Sequence, residues 1–326
     1  MTIKTHRRSL FKLGAAGAAA LAAPQIMVRA AHARTATMAP ATNAFSQFKL
    51  GDMEVIVVND GTRAVPNPAS IFGTEQTPET VSALLTENFL PTEKALFSFS
   101  PTLVKAGDEV ILFDTGNGES GREGGVGKTR EGLAAAGVKP EDVTIVVVTH
   151  FHPDHIGGMT EAGEAAFPNA RYVTGEVESN FWLDDARMGT PAEGVHTLAK
   201  AKMAPFAEKT AFVADGGSVV PGITAMAAAG HTPGHMIYML ESGGKQLALT
   251  VDTANHYVLS LQRPDWEVRF DMDKAGAAAT RKAVFDMLAT DRVPFVGYHM
   301  PWPAAGFVEK LDTGYRFVPE SYQFDL

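Results

Sequence analysis

The chain of 326 residues contains no cysteine. A disulfide framework is therefore excluded, and so is any metal site built on thiolate. Basic residues are in the minority, with 28 lysines and arginines against 37 aspartates and glutamates and a formal net charge of −9. An acidic surface repels phosphate backbones, so a nucleic-acid substrate is not expected. Long apolar runs are also missing. The longest, Leu13 to Ala23, is short and rich in glycine and alanine, so stable membrane insertion is not expected. No repeat at solenoid periods is visible. What remains is a chain of 45% hydrophobic residues, enough for a well-packed globular core.

The first 33 residues do not pattern as part of that core. Arg7 and Arg8, followed by Phe11 and Lys12, precede the Ala-rich run, and Ala31-His32-Ala33 has the small-x-small form of a cleavage site. This resembles a twin-arginine export signal and implies a periplasmic or secreted protein. The segment carries five lysines and arginines and no acidic residue, so its removal moves the net charge from −9 to −14. Residues 34–46, rich in alanine and threonine, are expected to be a linker. The folded domain is then 47–326.

One stretch concentrates the chemistry. In "VTHFHPDHIGG", His150, His152, Asp154 and His155 fall within six residues, directly after the β-branched run Thr144 to Val148. Such a run predicts a buried strand, which places the four side chains on the turn at its end. Residues two apart in an extended segment point the same way, so His150 and His152 can reach one ion together. Pro153 breaks the run, and Asp154 and His155 can turn to a neighbouring position. Gly157 and Gly158 then relieve crowding before a helix expected from Glu161 to Ala166. Imidazole with carboxylate and no thiolate suits zinc or a similar first-row ion. Three further donors follow, each after a strand-like run: His231 in "AGHTPGH", Asp252 in "LALTVDTAN" and His299 in "VPFVGYHMPW".

"HFHPDH" with later single His, Asp and His ligands resembles the metallo-β-lactamase-fold hydrolases. "FKLGDMEVIVVNDGT", "AFPNA", "PGITAMAAAGHTPGHMIYMLES" and "GYRFVPESY" resemble the branch of that superfamily holding methyl parathion hydrolase and secreted lactonase-like enzymes. The resemblance covers roughly residues 48–322. It implies an α/β chain in a four-layer αβ/βα sandwich, with two divalent metal ions, zinc foremost. One ion would be held by His150, His152 and His231, and the other by Asp154, His155 and His299, with Asp252 bridging them. A mononuclear site is the alternative. Asp154 and Asp252 would be the catalytic carboxylates. Asp114, at the end of "VILFD", would orient the metal-binding loop, and its bland alternative is a turn-capping role. His235 would support the site rather than ligate. Phe181, Trp182 and His256 are candidate pocket residues. For Phe181 and Trp182 the alternative is core packing, and for His256 it is solvent exposure. His196 is expected to be peripheral.

The remaining elements follow from local signals. "MEVIVVND" reads as the first strand. "TPETVSALLTENFL" reads as a helix capped by Thr77, and "SPTLVKAGDEVILFDTG" as a hairpin. "NGESGREGGVGKT" lacks the spacing of a phosphate-binding loop, since position 122 is Arg, and reads as a flexible loop. "AGAAATRKAVFDMLA" reads as a helix, with the last strand running into His299.

Three function classes compete. The first is a hydrolase of small neutral lactones, esters or phosphotriesters. The second is a metal-dependent oxidoreductase on the same fold, which would be expected to carry a flavin domain beyond this one. The third is a silent binding protein, which would be expected to have lost ligands. A full ligand set favours the hydrolase. The polar loop after Asp114 ranks lactone or ester hydrolysis above phosphotriester hydrolysis. A homodimer is compatible with all three.

Overall fold

The computed structural model describes residues 43–321. The expected export signal, and the expected linker up to residue 42, lie outside the described residues. Strands β1 (Phe45–Leu50) and β2 (Met53–Val58) form a tight hairpin. The first described strand thus starts two residues inside the expected linker and one strand before "MEVIVV". The short "FSQFKL" run alternates inward and outward, and the Gly51-Asp52 turn closes it onto β2. Strand β3 (Gly61–Pro66) pairs with β4 (Lys94–Phe99) as a separate two-stranded ribbon, with helix α1 (Pro78–Glu87) between them. Thr77 caps α1 as expected, its hydroxyl accepting from the Thr80 amide.

β5 (Thr102–Ala106) and β6 (Glu109–Phe113) form the anticipated hairpin. Helix α2 (Thr129–Ala135) leads to β7 (Ile145–Val148), which ends in the ligand loop. The loop itself contains the one-turn helix α3 (Pro153–Ile156). The helix expected over Glu161 to Ala166 is instead a small hairpin, β8 (Thr160–Glu161) with β9 (Glu164–Ala165). Its two-residue loop, Ala162-Gly163, has positive φ at both positions, the geometry that matches strand twist. Next come β10 (Arg171–Gly175), α4 (Glu176–Leu183), α5 (Glu193–Met203) and β11 (Thr210–Val213). The first sheet has the order β1-β2-β5-β6-β7-β10-β11.

The second sheet takes the rest of the chain in sequential order. It comprises β12 (Ser218–Val220), β13 (Ile223–Ala227), β14 (Met236–Ser242), β15 (Lys245–Val251), β16 (Phe295–Gly297), β17 (Ala305–Lys310) and β18 (Tyr315–Pro319). Helix α6 (Lys274–Asp291) crosses from β15 to the parallel β16. The strand before His299 is therefore not the last. "AGFVEK" and "YRFVP" add two more strands, the second of them the sheet's edge.

Strand parity produces the layers. In β7, Ile145 and Val147 join the core between the sheets, while Val146 and Val148 join the core under the helices. Val55 and Val57 against Ile56 and Val58 in β2, and Ile111 and Phe113 against Leu112 in β6, divide the same way. A strand buried on both faces needs a continuous apolar run, which is what these segments are. Leu133 of α2, Trp182 of α4 and Met203 of α5 cover the outer face of the first sheet. Phe285 of α6 packs edge-to-face on Phe295 of the second. The result is the expected helix–sheet–sheet–helix sandwich.

Candidate metal centre

The chemical residues lie where strands end. Asp114 follows β6, His150 follows β7 by two residues, Asp252 follows β15 and His299 follows β16 by two. Two of these junctions are bent sharply. Asp114 has φ 60, which aspartate tolerates, and Val251 has φ 47, which a β-branched residue does not adopt without strain. A position of this kind costs on the order of 1–3 kcal/mol and is held by its surroundings. Here it aims the next side chain, Asp252, into the centre.

All seven predicted donors converge. His150, His152, His231 and Asp252 form one group able to hold a metal ion, and Asp154, His155, Asp252 and His299 form a second. Within each group the donor atoms lie within 4.8 Å of one another, and Asp252 belongs to both. In the first group His152 Nδ1 is 3.2 Å from His150 Nε2 and 2.9 Å from His231 Nε2. Asp252 Oδ2 is 3.3 Å from His231 Nε2. In the second, His155 Nε2 and His299 Nε2 are each 3.5 Å from Asp154 Oδ2. Asp252 Oδ1 is 3.2 Å from His155 Nε2, and Oδ2 is 3.1 Å from His299 Nε2.

The outer nitrogens show which way the inner ones face. His155 Nδ1 donates to Asp114 Oδ2 at 2.7 Å, His231 Nδ1 to Asp271 Oδ1 at 2.9 Å, and His299 Nδ1 to the Ser98 carbonyl at 2.8 Å. His150 Nδ1 meets the Thr149 hydroxyl at 3.1 Å, which in turn donates to Asp114 Oδ2 at 2.8 Å. With their protons committed outward, four imidazoles turn lone pairs inward, the tautomer a metal requires. Two buried atoms, His155 Nε2 and Asp252 Oδ1, have no hydrogen-bond partner. A cation between them would satisfy both, so the donor set fits two divalent ions.

The electrostatics agree. Burial pushes His150 well below the usual imidazole range and His152 down to about 3, so both are neutral. Burial acts on His155 too, but Asp252, Asp154 and Asp114 override it and hold its pKa well above the usual value. His231 is raised against burial to about 9 by Asp252 and Asp271, and His299 is raised by Asp252 and Asp154. Asp154 is held down at about 2 against burial by His155 and His299. The cluster demands positive charge, and without metal it takes protons. Metal binding must displace them, so zinc affinity should fall about tenfold per pH unit for each displaced proton as pH drops from 8 to 6. Chelator competition across that range checks it, and a pH-independent affinity would refute the proton-displacement account.

Asp114 thus serves two of the loop's three histidines, His155 directly and His150 through Thr149. His235 does not ligate. Its Nδ1 donates to the Ala228 carbonyl, leaving Nε2 to accept from the Asp252 amide at 3.3 Å. Both supporting roles were anticipated; four others were not. Asp271 lies between His231 and the buried Arg281 guanidinium, at 2.7 Å from Nη2. Tyr298 stacks on His155 with ring centroids 4.0 Å apart, and its hydroxyl donates to the Asp154 carbonyl. Asp60 accepts from the amides of Asn117, Gly127 and Thr129 and from two side chains. The Gly-rich segment expected to be flexible is therefore wrapped around one buried carboxylate.

Glu178 of α4 is the fourth. It accepts from the Phe151 amide at 2.9 Å and Trp182 Nε1 at 2.8 Å on one oxygen. The other oxygen accepts from the Thr232 hydroxyl at 2.7 Å and the Gly234 amide at 3.0 Å. It ties the loop of His150 and His152 to the loop of His231. A Cβ on Gly234 would lie 2.1 Å from the Glu178 amide, so only glycine allows this approach. Glu178→Ala should weaken zinc binding by about 10–100-fold, as loss of a ligand-orienting partner does. Wild-type affinity in the metal titration of that variant would remove Glu178 from the site's support.

The aromatic candidates are corrected. Trp182 is 2% exposed and belongs to the core under the first sheet, meeting His152 edge-on with ring centroids 6.0 Å apart. Its indole N–H is spent on Glu178, and this fixes it in the core. Phe181 packs at that core's edge under the Arg187 guanidinium. His196 is buried, its Nδ1 donating to the Trp182 carbonyl. His256 is buried rather than solvent-exposed. Its Nδ1 accepts from the Val258 and Leu259 amides, and it lines a neighbouring pocket. The cleft over the metal ligands, about 350 Å³, is walled instead by Val65, Phe97, Phe99, Val195 and Phe270, with Arg63, Asn117 and Asn255 among its polar residues. The β3–β4 ribbon supplies much of that wall. Its alternation marks it as a strand pair, but nothing local says which sheet edge it covers.

The pattern of the family described as the metallo-beta-lactamase superfamily matches residues 100–295. The chain belongs to that superfamily. The match runs from the end of the β3–β4 ribbon to β16 and contains every metal donor but His299. Among solved structures, AidC, a dizinc quorum-quenching lactonase in complex with an N-acyl homoserine product, is 28% identical with a TM-score of 0.78. The match covers 85% of this chain and 98% of that one. The hydrolase AbOPH of the beta lactamase superfamily is 26% identical with a TM-score of 0.79, covering 87% and 100%. Metallo-beta-lactamase domain-containing protein 1 of Mus musculus is 54% identical over 56 residues, 17% of this chain and 20% of that protein. The match thus spans about a fifth of that curated relative.

Proposed function

We propose that this metal-dependent hydrolase of the metallo-beta-lactamase fold opens lactones or cleaves carboxylic esters at a dinuclear centre. Phosphotriester hydrolysis is a slower side activity. The carrying observation is the pair of four-residue donor groups that share Asp252 at the floor of an apolar cleft. His150, His152 and His231 would hold one ion and Asp154, His155 and His299 the other, with Asp252 a member of both groups. Two dications bound there would supply Lewis acidity towards the scissile carbonyl and lower the pKa of the attacking water. Everything else falls to the chain's own groups.

Val65, Phe97, Phe99 and Phe270 bind the apolar part of the substrate and exclude water from it. Asn255 Nδ2 donates to Asp252 Oδ2 at 3.0 Å and holds that carboxylate in one rotamer. Asp154 lines the cleft with a side chain 21% exposed. As a carboxylate open to the cleft it can accept the proton of the nucleophile and pass it to the leaving oxygen. The likeness to AidC supports the lactone class. The aromatic walls come from β4 and residue 270 rather than from the polar loop after Asp114, so the cleft also admits an aryl leaving group.

A panel of acyl-homoserine lactones, simple lactones, aryl esters and dimethyl aryl phosphotriesters, assayed with zinc-loaded protein, tests the ranking. Lactones or esters should show the highest kcat/KM. A phosphotriester rate above all of them would reverse it.

A further inference from the structure

Arg63 stands in the cleft without a partner. It sits on β3 directly opposite Phe97 of β4, and both line the cavity over the metal donors. Among the described residues it makes no hydrogen bond or ion pair, whereas Arg122, Arg171 and Arg316 each find a carboxylate. The guanidinium rests on Gly124, where an added Cβ would lie 3.1 Å from Nη2. A bare backbone is thus the seat for its planar group, and the Asp60-centred loop that supplies Gly124 is fixed.

The local charge is opposite to that of the whole molecule. Among the described residues, the only acidic ones lining the cleft are Asp154 and Asp252, and both belong to the metal groups. Five neutral imidazoles and two carboxylates around two dications leave the centre net positive. Arg63 adds a second cation at the rim, with apolar walls between. A guanidinium presents a fork of N–H groups that matches a carboxylate and is weakly hydrated. An uncharged substrate would leave that fork unused.

We propose that Arg63 is a specificity-determining residue that selects, within the ester and lactone class, substrates bearing a free carboxylate away from the scissile bond. The scissile carbonyl lies over the metal donors, the linking carbons lie along Phe97 and Val65, and the carboxylate pairs with Arg63. This rests on the hydrolase reading above.

The test compares monomethyl glutarate with its neutral amide isostere, methyl 4-carbamoylbutanoate, on zinc-loaded protein. Wild type should favour the acid ester in kcat/KM by about tenfold or more at low salt, mainly through KM, and the preference should shrink as salt is added. Arg63→Gln should bring the ratio near one, and Arg63→Lys should retain part of it. Glutarate binding by calorimetry is a second readout, expected about tenfold weaker in Arg63→Gln with metal content unchanged. A wild-type ratio at or below one, or ratio and glutarate affinity unmoved by Arg63→Gln, overturns the assignment. If every ester and lactone is inert while glutarate still binds Arg63-dependently, the hydrolase reading fails and the Arg63 site stands.

Discussion

Asp252→Ala should lower turnover by about three orders of magnitude or more and leave the purified protein with less than two metal ions per chain. Asp252 is the one residue common to both donor groups, with Oδ1 facing His155 and Oδ2 facing His231 and His299. Its removal takes the only carboxylate from the first group and half the carboxylate charge from the second. Lewis-acid stabilisation of the reacting oxygen contributes several kcal/mol, and each 1.36 kcal/mol is tenfold in rate, hence the estimate. Asp252→Asn keeps the shape and the contact with Asn255 but loses the charge, so it should fall almost as far. The fold should persist, because the core on either side of β15 is untouched. Metal analysis with kcat/KM decides the matter, and a variant with full metal and wild-type turnover would remove Asp252 from the centre.

The second large effect is on stability. Asp271→Ala should destabilise the metal-free protein by about 3–5 kcal/mol, because it strands a buried guanidinium. Asp271 and Arg281 are each 1% exposed in their side chains and lie 2.7 Å apart. Arg281 also donates to the Thr253 and Pro264 carbonyls, so it cannot swing out to water. The same substitution frees His231 Nδ1, so zinc affinity should drop by about 10–100-fold as well. Denaturant unfolding with chelator present separates the two consequences. The double variant Asp271→Leu with Arg281→Met should recover much of the stability and none of the affinity. Equal losses in the single and double variants would mean that the stranded charge is not the cause.

The metal donors were legible in the sequence because their chemistry and their placement coincide. "HFHPDH" follows a β-branched run, and His231, Asp252 and His299 each follow an apolar one, so strand ends alone gather them. The four-layer arrangement came from the likeness to the family, and the residues themselves give only parts of it: Ile145 to Val148 is apolar at every position and must be buried on both faces. Beyond Asp114 and His235, the supporting residues were not legible. Glu178, Asp271 and Asp60 sit in ordinary polar contexts, and only the tertiary fold delivers the amides and guanidinium that make them buried acceptors. Trp182 stays undecided between pocket and core in the sequence because an aromatic near a metal motif looks alike from either side of the loop. Its indole N–H bond to Glu178 decides the side. The hairpin at Ala162-Gly163 was missed because positive φ at an alanine is not written in its identity.

The central claim is that two ions are held together through Asp252 and that both serve the reaction. Stepwise addition of zinc to metal-free protein, followed for binding and for hydrolysis of the best lactone or ester, tests it most directly. The account predicts uptake of two equivalents per chain, with full activity only as the second is bound. Saturation at one equivalent, or full activity reached there, would contradict it.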